Sequence, residues 1–327
     1  MMSKPLNAAQ LAVVDNHFAN NGKDKLSRMW IDAKQSSVYN PKTARLHVHK
    51  HDRRMSGKQE LVFDSAQGQA TSLTSHSLKL WDRRRHASAR EYARIQGFPE
   101  WFIPPKTLVT NLFGNAVAVP CATHACQSVG SGVRHPTTLL DLCAGIGGFH
   151  IAALCAFPLI KCVGFCEIKP AAVRCYKENF PDSVSLGNIL DVEVWPRAEL
   201  LTAGFPCQPF SRSCDIKLRA THTDRYFFRH VFEAIDVVRP RMVVLENVRA
   251  LMCESGHAQL EAIMECFRTR GFATEYRVLD ASSFALPQQR FRIYIIARRQ
   301  DAADPQLSIS PPPHHKSTVL GDIMEEY

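Results

Sequence analysis

The sequence predicts an α/β protein, a doubly wound parallel sheet joined to a second, smaller domain. Three observations lead there. From Pro136 onward, short apolar runs alternate with helical patterns, the order that builds strand–helix–strand units. One of those runs, Met242-Val243-Val244-Leu245, is apolar throughout, as strands buried on both faces are. Ahead of them lies a stretch of another kind: between Lys23 and Lys58, ten Lys or Arg face three acids, with Trp30, Tyr39, His47, His49 and His51 interleaved.

In chain order, Met1 to about Asn21 is weakly helical through Leu6, Leu11, Val14 and Phe18. The basic stretch reads as a small, loop-rich β unit that touches phosphates, with Arg45, Arg53 and Arg54 as candidate contacts. Its histidines have no Cys or carboxylate partner at ligand spacing, and no CxxC pairs occur elsewhere, so no metal is expected. Ser88-Ala89-Arg90-Glu91 has capping-box spacing, and the short helix it opens stops at Gly97, before Pro99. Within a 106–126 segment, an apolar helix is expected from Ala116 to about Cys126. A connector within 127–136 (Gln127–His135) follows, flexible by composition.

Strands are then expected at Thr138–Leu142, Lys161–Cys166, near Val184–Leu186, at Leu200–Thr202, at Met242–Leu245 and at Arg290–Ile296. Helices are expected after Gly145-Ile146-Gly147-Gly148, from Pro170, through Phe228, Val231, Phe232 and Ile235, and through Leu260, Ile263, Met264 and Phe267 to near Gly271. Alternation along the last strand puts Arg290, Arg292 and Tyr294 on one face. Residues 312–327 read as a crossing segment that leaves the sheet.

Composition sets bounds on function. Hydrophobic residues make up 45% and charged ones 22%, an ordinary globular balance. No apolar run reaches the ~18 residues that span a bilayer, so no membrane partner is expected. The amino terminus lacks a basic-then-apolar export pattern, and eleven scattered cysteines suggest reduced thiols, both pointing to an intracellular setting. The net charge of +9 suits a polyanionic partner.

Two stretches carry chemistry. The first strand enters Ala144-Gly145-Ile146-Gly147-Gly148-Phe149, and Glu167 stands 22 residues after Gly145, where an acid can grip ribose hydroxyls. The pattern is GxGG, not GxGxxG, so a non-phosphorylated adenosine ligand such as S-adenosyl-L-methionine suits it better than a pyrophosphate. In Leu200-Leu201-Thr202-Ala203-Gly204-Phe205-Pro206-Cys207-Gln208-Pro209-Phe210-Ser211, two prolines hold a turn that exposes a thiol at a strand end. A lone Cys ordinarily packs as a small hydrophobe. Here Glu246 is expected at the same sheet edge. A thiolate beside a protonated carboxyl suits attack on an electron-poor ring carbon next to a basic nitrogen, as at C6 and N3 of cytosine. Arg292 could hold the ring's carbonyl oxygen.

Together these motifs resemble the DNA (cytosine-5) methyltransferase family. Asp141-Leu-Cys-Ala-Gly-Ile-Gly-Gly-Phe149 resembles its cofactor loop, Gly204–Ser211 its nucleophile loop, Glu246-Asn-Val248 its catalytic acid and Gln288–Tyr294 its arginine strand. Arg90–Pro99 and Phe113–Val117 resemble its last two motifs. The resemblance implies a Rossmann-like catalytic domain over 101–327, a target-recognition domain over 1–100, S-adenosyl-L-methionine as cofactor and duplex DNA between the domains. It implies Cys207 as nucleophile, Glu246 at N3, and Arg290 and Arg292 assisting at a flipped-out base. It places Asp141, Cys143, Ala144, Gly145, Gly147, Gly148, Phe149, Glu167, Ile168, Asn188, Ile189, Pro206, Asn115 and Ala116 around the cofactor, and Gln208 and Ser211 at the DNA. A monomer, paired in function with a cognate restriction endonuclease, fits the family.

The sequence departs from the family in three places. The closing motifs (84–126) precede the opening one, so the chain reads as circularly permuted, an inexpensive change where termini lie close together. Asn188 stands where the family has an acid near the adenine. In the loop Arg212–Tyr226, Cys214 and Tyr226 replace glycines, which would slow loop closure. Two alternatives share the fold: transfer to cytosine in RNA, and a DNA-binding regulator without turnover.

Overall fold

A seven-stranded sheet sits at the centre of the computed structural model, which describes residues 29–32, 59–63, 70–71, 78–80, 85–206, 227–300, 306–312, 318 and 320–324. The amino-terminal segment contributes β1 (Met29–Asp32), β2 (Gln59–Phe63), β3 (Ala70–Thr71), β4 (Leu78–Leu80) and β5 (Arg85–His86). Then come helices α1 (Ala89–Ile95), α2 (Val109–Asn115) and α3 (Val119–Val129). The remaining elements are β6 (Thr138–Leu142), α4 (Gly148–Ala156), β7 (Lys161–Cys166), α5 (Pro170–Asn179), β8 (Ser185–Gly187), β9 (Leu200–Ala203), α6 (Phe228–Val238), β10 (Met242–Val248), α7 (Glu254–Arg268), β11 (Phe272–Asp280), β12 (Gln288–Gln289) and β13 (Phe291–Arg299).

The large sheet runs β11-β13-β10-β9-β6-β7-β8. β6 to β10 are mutually parallel, and β13 is antiparallel to both β10 and β11. From β6 the chain winds outward through β7 and β8, then returns to the other side with β9. The order therefore reverses between β6 and β9, and a crevice opens at the carboxyl ends of those two strands. This is the Rossmann-like α/β sheet. β1, β2, β4 and β5 form a separate small sheet, and β3 pairs with β12, tying the amino-terminal segment to the carboxy-terminal half.

Apolar side chains fill a layer on each side. Leu139, Met242, Val244, Tyr294 and Ile296 pack under α3 and α4, while Leu140, Leu201, Val243, Leu245, Ile293 and Ile295 pack under α6 and α7. Alternation thus sends Glu246, Arg292 and Asp141 to the α3–α4 side and Asn247 to the other.

The expected helix at Ser88 forms with its capping box complete: Glu91 N–H donates to Ser88 Oγ, and Ser88 N–H to Glu91 Oε2. Three expectations need correction. The helix placed at Ala116–Cys126 begins instead at Val119, where Pro120 supplies a first-turn residue with no N–H to waste, and runs to Val129. The connector is not loose. Buried Arg298 donates to the carbonyls of Val129 and Ser131, Arg241 to that of Arg134, and Arg134 pairs with Glu199. Glu199 also accepts from Thr137 N–H (2.7 Å) and Oγ1 (2.9 Å), so the connector is clamped across the amino ends of the parallel strands. Finally, the sheet is not wholly parallel, and β11 escaped the sequence reading because its half-buried, polar-rich side chains give no apolar run. In the 312–327 segment, the turn Leu320–Ile323 returns to α1, where Arg94 donates to the Ile323 carbonyl.

Candidate active site

The loop after β6, the candidate cofactor loop, is built on glycines with different jobs. After β6 the chain turns through Cys143 (φ 51°), Gly145 (φ 57°) and Gly147 (φ 90°). A Cβ on Gly147 would meet the Phe180 ring at 2.7 Å, so this residue is glycine because the loop presses against α5. A Cβ on Gly145 would meet nothing within 4 Å, which leaves its backbone open to a ligand. Beneath the loop, His150 bonds Tyr176 Oη at 3.0 Å and stacks on Phe180, and burial lowers its pKa to about 4. Ala144 N–H donates to the Cys166 carbonyl, which docks the loop on the end of β7. Gly148 lies against Val117, which brings the 116–118 stretch over the start of α4.

Glu167, at the end of β7, accepts from Gly145 N–H at 2.9 Å, Ile168 N–H at 2.9 Å and Lys169 N–H at 2.8 Å. Three backbone bonds fix the carboxylate and leave one of its four acceptor positions for a hydroxyl. Ile168 beside it is 69% exposed, an apolar surface on which a flat ring can lie. Asn188 caps the turn Ile189–Asp191, accepting from Leu190 N–H and donating to Asp191 Oδ2 at 3.0 Å. Its amide is already engaged locally, and it holds Asp191, which the sequence reading passed over, alongside. Asn115 is exposed and turns its amide back on the Asn111 carbonyl; Ala116 is buried, and its carbonyl accepts from Gln96 and Arg290. Asp141 is fully buried; Oδ1 accepts from Thr202 Oγ1 at 2.8 Å, and Oδ2 has no partner. Burial raises its pKa well above the carboxylate range, partly offset by the Thr202 bond. The open space beside Gly145 and the spare acceptor on Glu167 fit a ligand that offers hydroxyl donors.

The second half of the site hangs on β9, β10 and β13. In the ladder Glu246 opposes Tyr294, and Val248 opposes Arg292, so Glu246 and Arg292 are diagonal neighbours. Arg292 Nε lies 3.2 Å from Glu246 Oε1, with side chains only 17% and 12% exposed. Burial raises the Glu246 pKa, against the pull of Arg292 and Arg290. After β9, a Cβ on Gly204 would lie 3.9 Å from the Phe149 ring and 4.0 Å from Glu246 Oε2. The turn leaving β9 therefore runs between Phe149 and Glu246. Asn247 Nδ2 donates to the Phe205 carbonyl at 3.4 Å and steadies that turn from the other face. Cys207, Gln208 and Ser211 come directly after Pro206 and lie outside the described residues, as do Arg45, Arg53 and Arg54.

Arg290 sits differently from Arg292. It is 2% exposed, and its guanidinium donates to the carbonyls of Gly114 (3.0 Å) and Ala116 (2.8 Å). Burial, with repulsion from Arg292, lowers its pKa to about 9. Alternation correctly puts both arginines on one face; it does not show that one is spent on backbone carbonyls. Asn247, Gln96 and Gln288 were also missed, although all three stand inside motifs already quoted. Polar side chains flanked by apolar, buried neighbours are the cue that would have found them.

A family model described as C-5 cytosine-specific DNA methylase matches residues 6–131 and 137–327. The chain belongs to that family. Among curated relatives, it is 32% identical over 191 residues to the type II methyltransferase M.NlaX of Neisseria lactamica, covering 58% of this chain and 60% of the relative. It is 33% identical over 190 residues to the type II methyltransferase M.MspI of Moraxella sp, covering 57% and 44%. The chain thus spans about half the length of the curated relatives it matches. A solved methyltransferase from Entamoeba histolytica aligns at 16% identity and a TM-score of 0.44, over 57% of this chain and 58% of that one. Among the described residues, no helix is long and apolar enough to cross a membrane.

Proposed function

We propose that the chain methylates C5 of a cytosine drawn out of duplex DNA, with S-adenosyl-L-methionine as methyl donor. The observation that carries this reading is Gly204 between Phe149 and Glu246, since it sets the turn leading to Cys207 between a cofactor loop and a buried acid. In this mechanism Cys207, as thiolate, forms a bond from Sγ to C6 while Glu246 delivers a proton to N3. The ring electrons then move to C5, which becomes nucleophilic. Arg292 orients Glu246 and offers its remaining N–H groups to the ring carbonyl. The bound cofactor supplies an electrophilic methyl group for C5. Loss of the C5 proton to solvent then expels Cys207 as thiolate, and N3 returns its proton to Glu246, which restores the neutral aromatic ring and the acid. Burial of Glu246 suits a group that must carry a proton near neutral pH.

In the same reading, residues 1–100 recognise the target and 101–327 carry the chemistry. The motif order is circularly permuted, with the 127–136 segment joining the two blocks. Arg45, Arg53, Arg54, Gln208 and Ser211 contact the DNA. The protein acts as an intracellular monomer beside a cognate restriction endonuclease, consistent with relatives named as type II methyltransferases.

A fluorinated-cytosine duplex tests the reading, because fluorine at C5 blocks release of the enzyme. With cofactor present, the wild-type protein should form a complex that survives denaturation, whereas Cys207→Ser should bind duplex without being trapped. Trapping on tRNA in place of duplex would move the substrate to RNA. Duplex binding with no trapping would leave a binder without turnover.

A further inference from the structure

Beside the acid–arginine pair, on the other face of the sheet, an exposed guanidinium covers an exposed aromatic ring. Arg249 opens the short turn Arg249–Met252 that follows β10, and Phe291 is the first residue of β13. Arg249 Cζ lies 5.5 Å from the centre of the Phe291 ring, which is 41% exposed. The pair is joined to the site by the backbone: Arg292 Nη1 donates to the Phe291 carbonyl at 2.9 Å, and Val248, next to Arg249, opposes Arg292 in the ladder. No carboxylate pairs with Arg249 among the described residues. With no carboxylate on it, the Arg249 guanidinium can turn its N–H donors toward an anion at this rim.

We propose that Arg249 and Phe291 grip the DNA backbone next to the reacting base, the guanidinium taking a phosphate and the ring packing on the adjoining deoxyribose. This rests on the methylase reading above and adds a strand contact to it. Contact with the Phe291 ring keeps the guanidinium at this rim, where its paired N–H groups suit a two-point bond to a phosphate. In the proposed complex, the strand that delivers its cytosine to Glu246 runs along this same rim, where Phe291 precedes Arg292.

The test uses the full chain, duplex affinity across a salt series, and cofactor affinity as a check on the fold. Arg249→Gln should weaken duplex binding about fivefold near 0.1 M salt and lower the slope of log affinity against log salt by about one. Arg249→Lys should keep the slope and lose only part of the affinity. Phe291→Ala should lose affinity severalfold with the slope unchanged. Cofactor affinity should be the same in all three. Unchanged duplex affinity and slope in Arg249→Gln, while the wild type binds and methylates duplex, would overturn this inference alone. So would an equal loss of cofactor and duplex binding. A wild-type protein that neither binds nor methylates duplex would overturn the methylase reading and the inference with it.

Discussion

Gln288 donates its side-chain amide to Gln96 Oε1 at 2.7 Å, joining two motifs 192 residues apart. The same amide donates to the Ile95 carbonyl, and Gln96 passes its own amide to the carbonyls of Phe113 and Ala116. Both side chains are fully buried. One amide pair therefore holds together α1, the end of α2 and the start of the arginine strand.

Replacing either glutamine strands buried acceptors. Gln96→Ala and Gln288→Ala should each cost about 1–3 kcal/mol, and the double variant less than the sum. Urea unfolding of the two single variants and the double one gives the coupling directly. Strict additivity would mean that the two amides act separately.

The two loop glycines should fail in different ways. Gly147→Ala has to take φ 90° and push a methyl into Phe180, so it should lower stability by about 2–3 kcal/mol. Gly145→Ala has room and should lose only about 1 kcal/mol, while its methyl occupies the ligand's approach. Calorimetric cofactor titration beside thermal unfolding should show the larger binding loss in the more stable variant.

Asp141 gives stability a pH dependence. Its folded pKa is raised by burial, so the folded state holds a proton that the unfolded chain releases once pH passes about 4. Stability should therefore fall as pH rises from there toward the raised folded value, by up to ~1.4 kcal/mol per pH unit. Asp141→Asn keeps the acceptor for Thr202 and removes the proton, and should flatten that part of the curve. Urea midpoints between pH 5 and 8 for both proteins decide it; parallel curves would show that Asp141 is ionised in the fold.

The connector clamp should matter for stability and not for chemistry. Arg298→Ala frees the carbonyls of Val129 and Ser131 and should cost about 1–3 kcal/mol. Limited proteolysis should then cut within 130–136, while single-turnover methyl transfer on duplex stays at the wild-type rate.

Most strands of the large sheet were legible because both of their faces are buried, which writes them as plain apolar runs; Thr138–Leu142 and Lys161–Cys166 match residue for residue. β11 was not, since an outer strand with Thr274, Glu275 and Arg277 keeps polar side chains half-exposed. The direction of β13 was equally hidden, because alternation reads the same along or against its neighbours. In the site, the types and spacing of Glu246 and Arg292 carried over into geometry. Arg290 shows the limit: a guanidinium aimed at a base and one aimed at two carbonyls are the same letter. The connector misled for a related reason, as small and polar residues suggest freedom, while the clamp is supplied by Glu199, Arg241 and Arg298 from elsewhere in the chain.

Glu246 and Arg292 hang two rungs apart on one antiparallel ladder, so no hinge lies between them. In the proposed mechanism, a base that reaches this site meets its acid already aimed. On the proposed reading, substitutions away from this ladder can change how often the reaction runs, while the acid and its arginine keep their geometry.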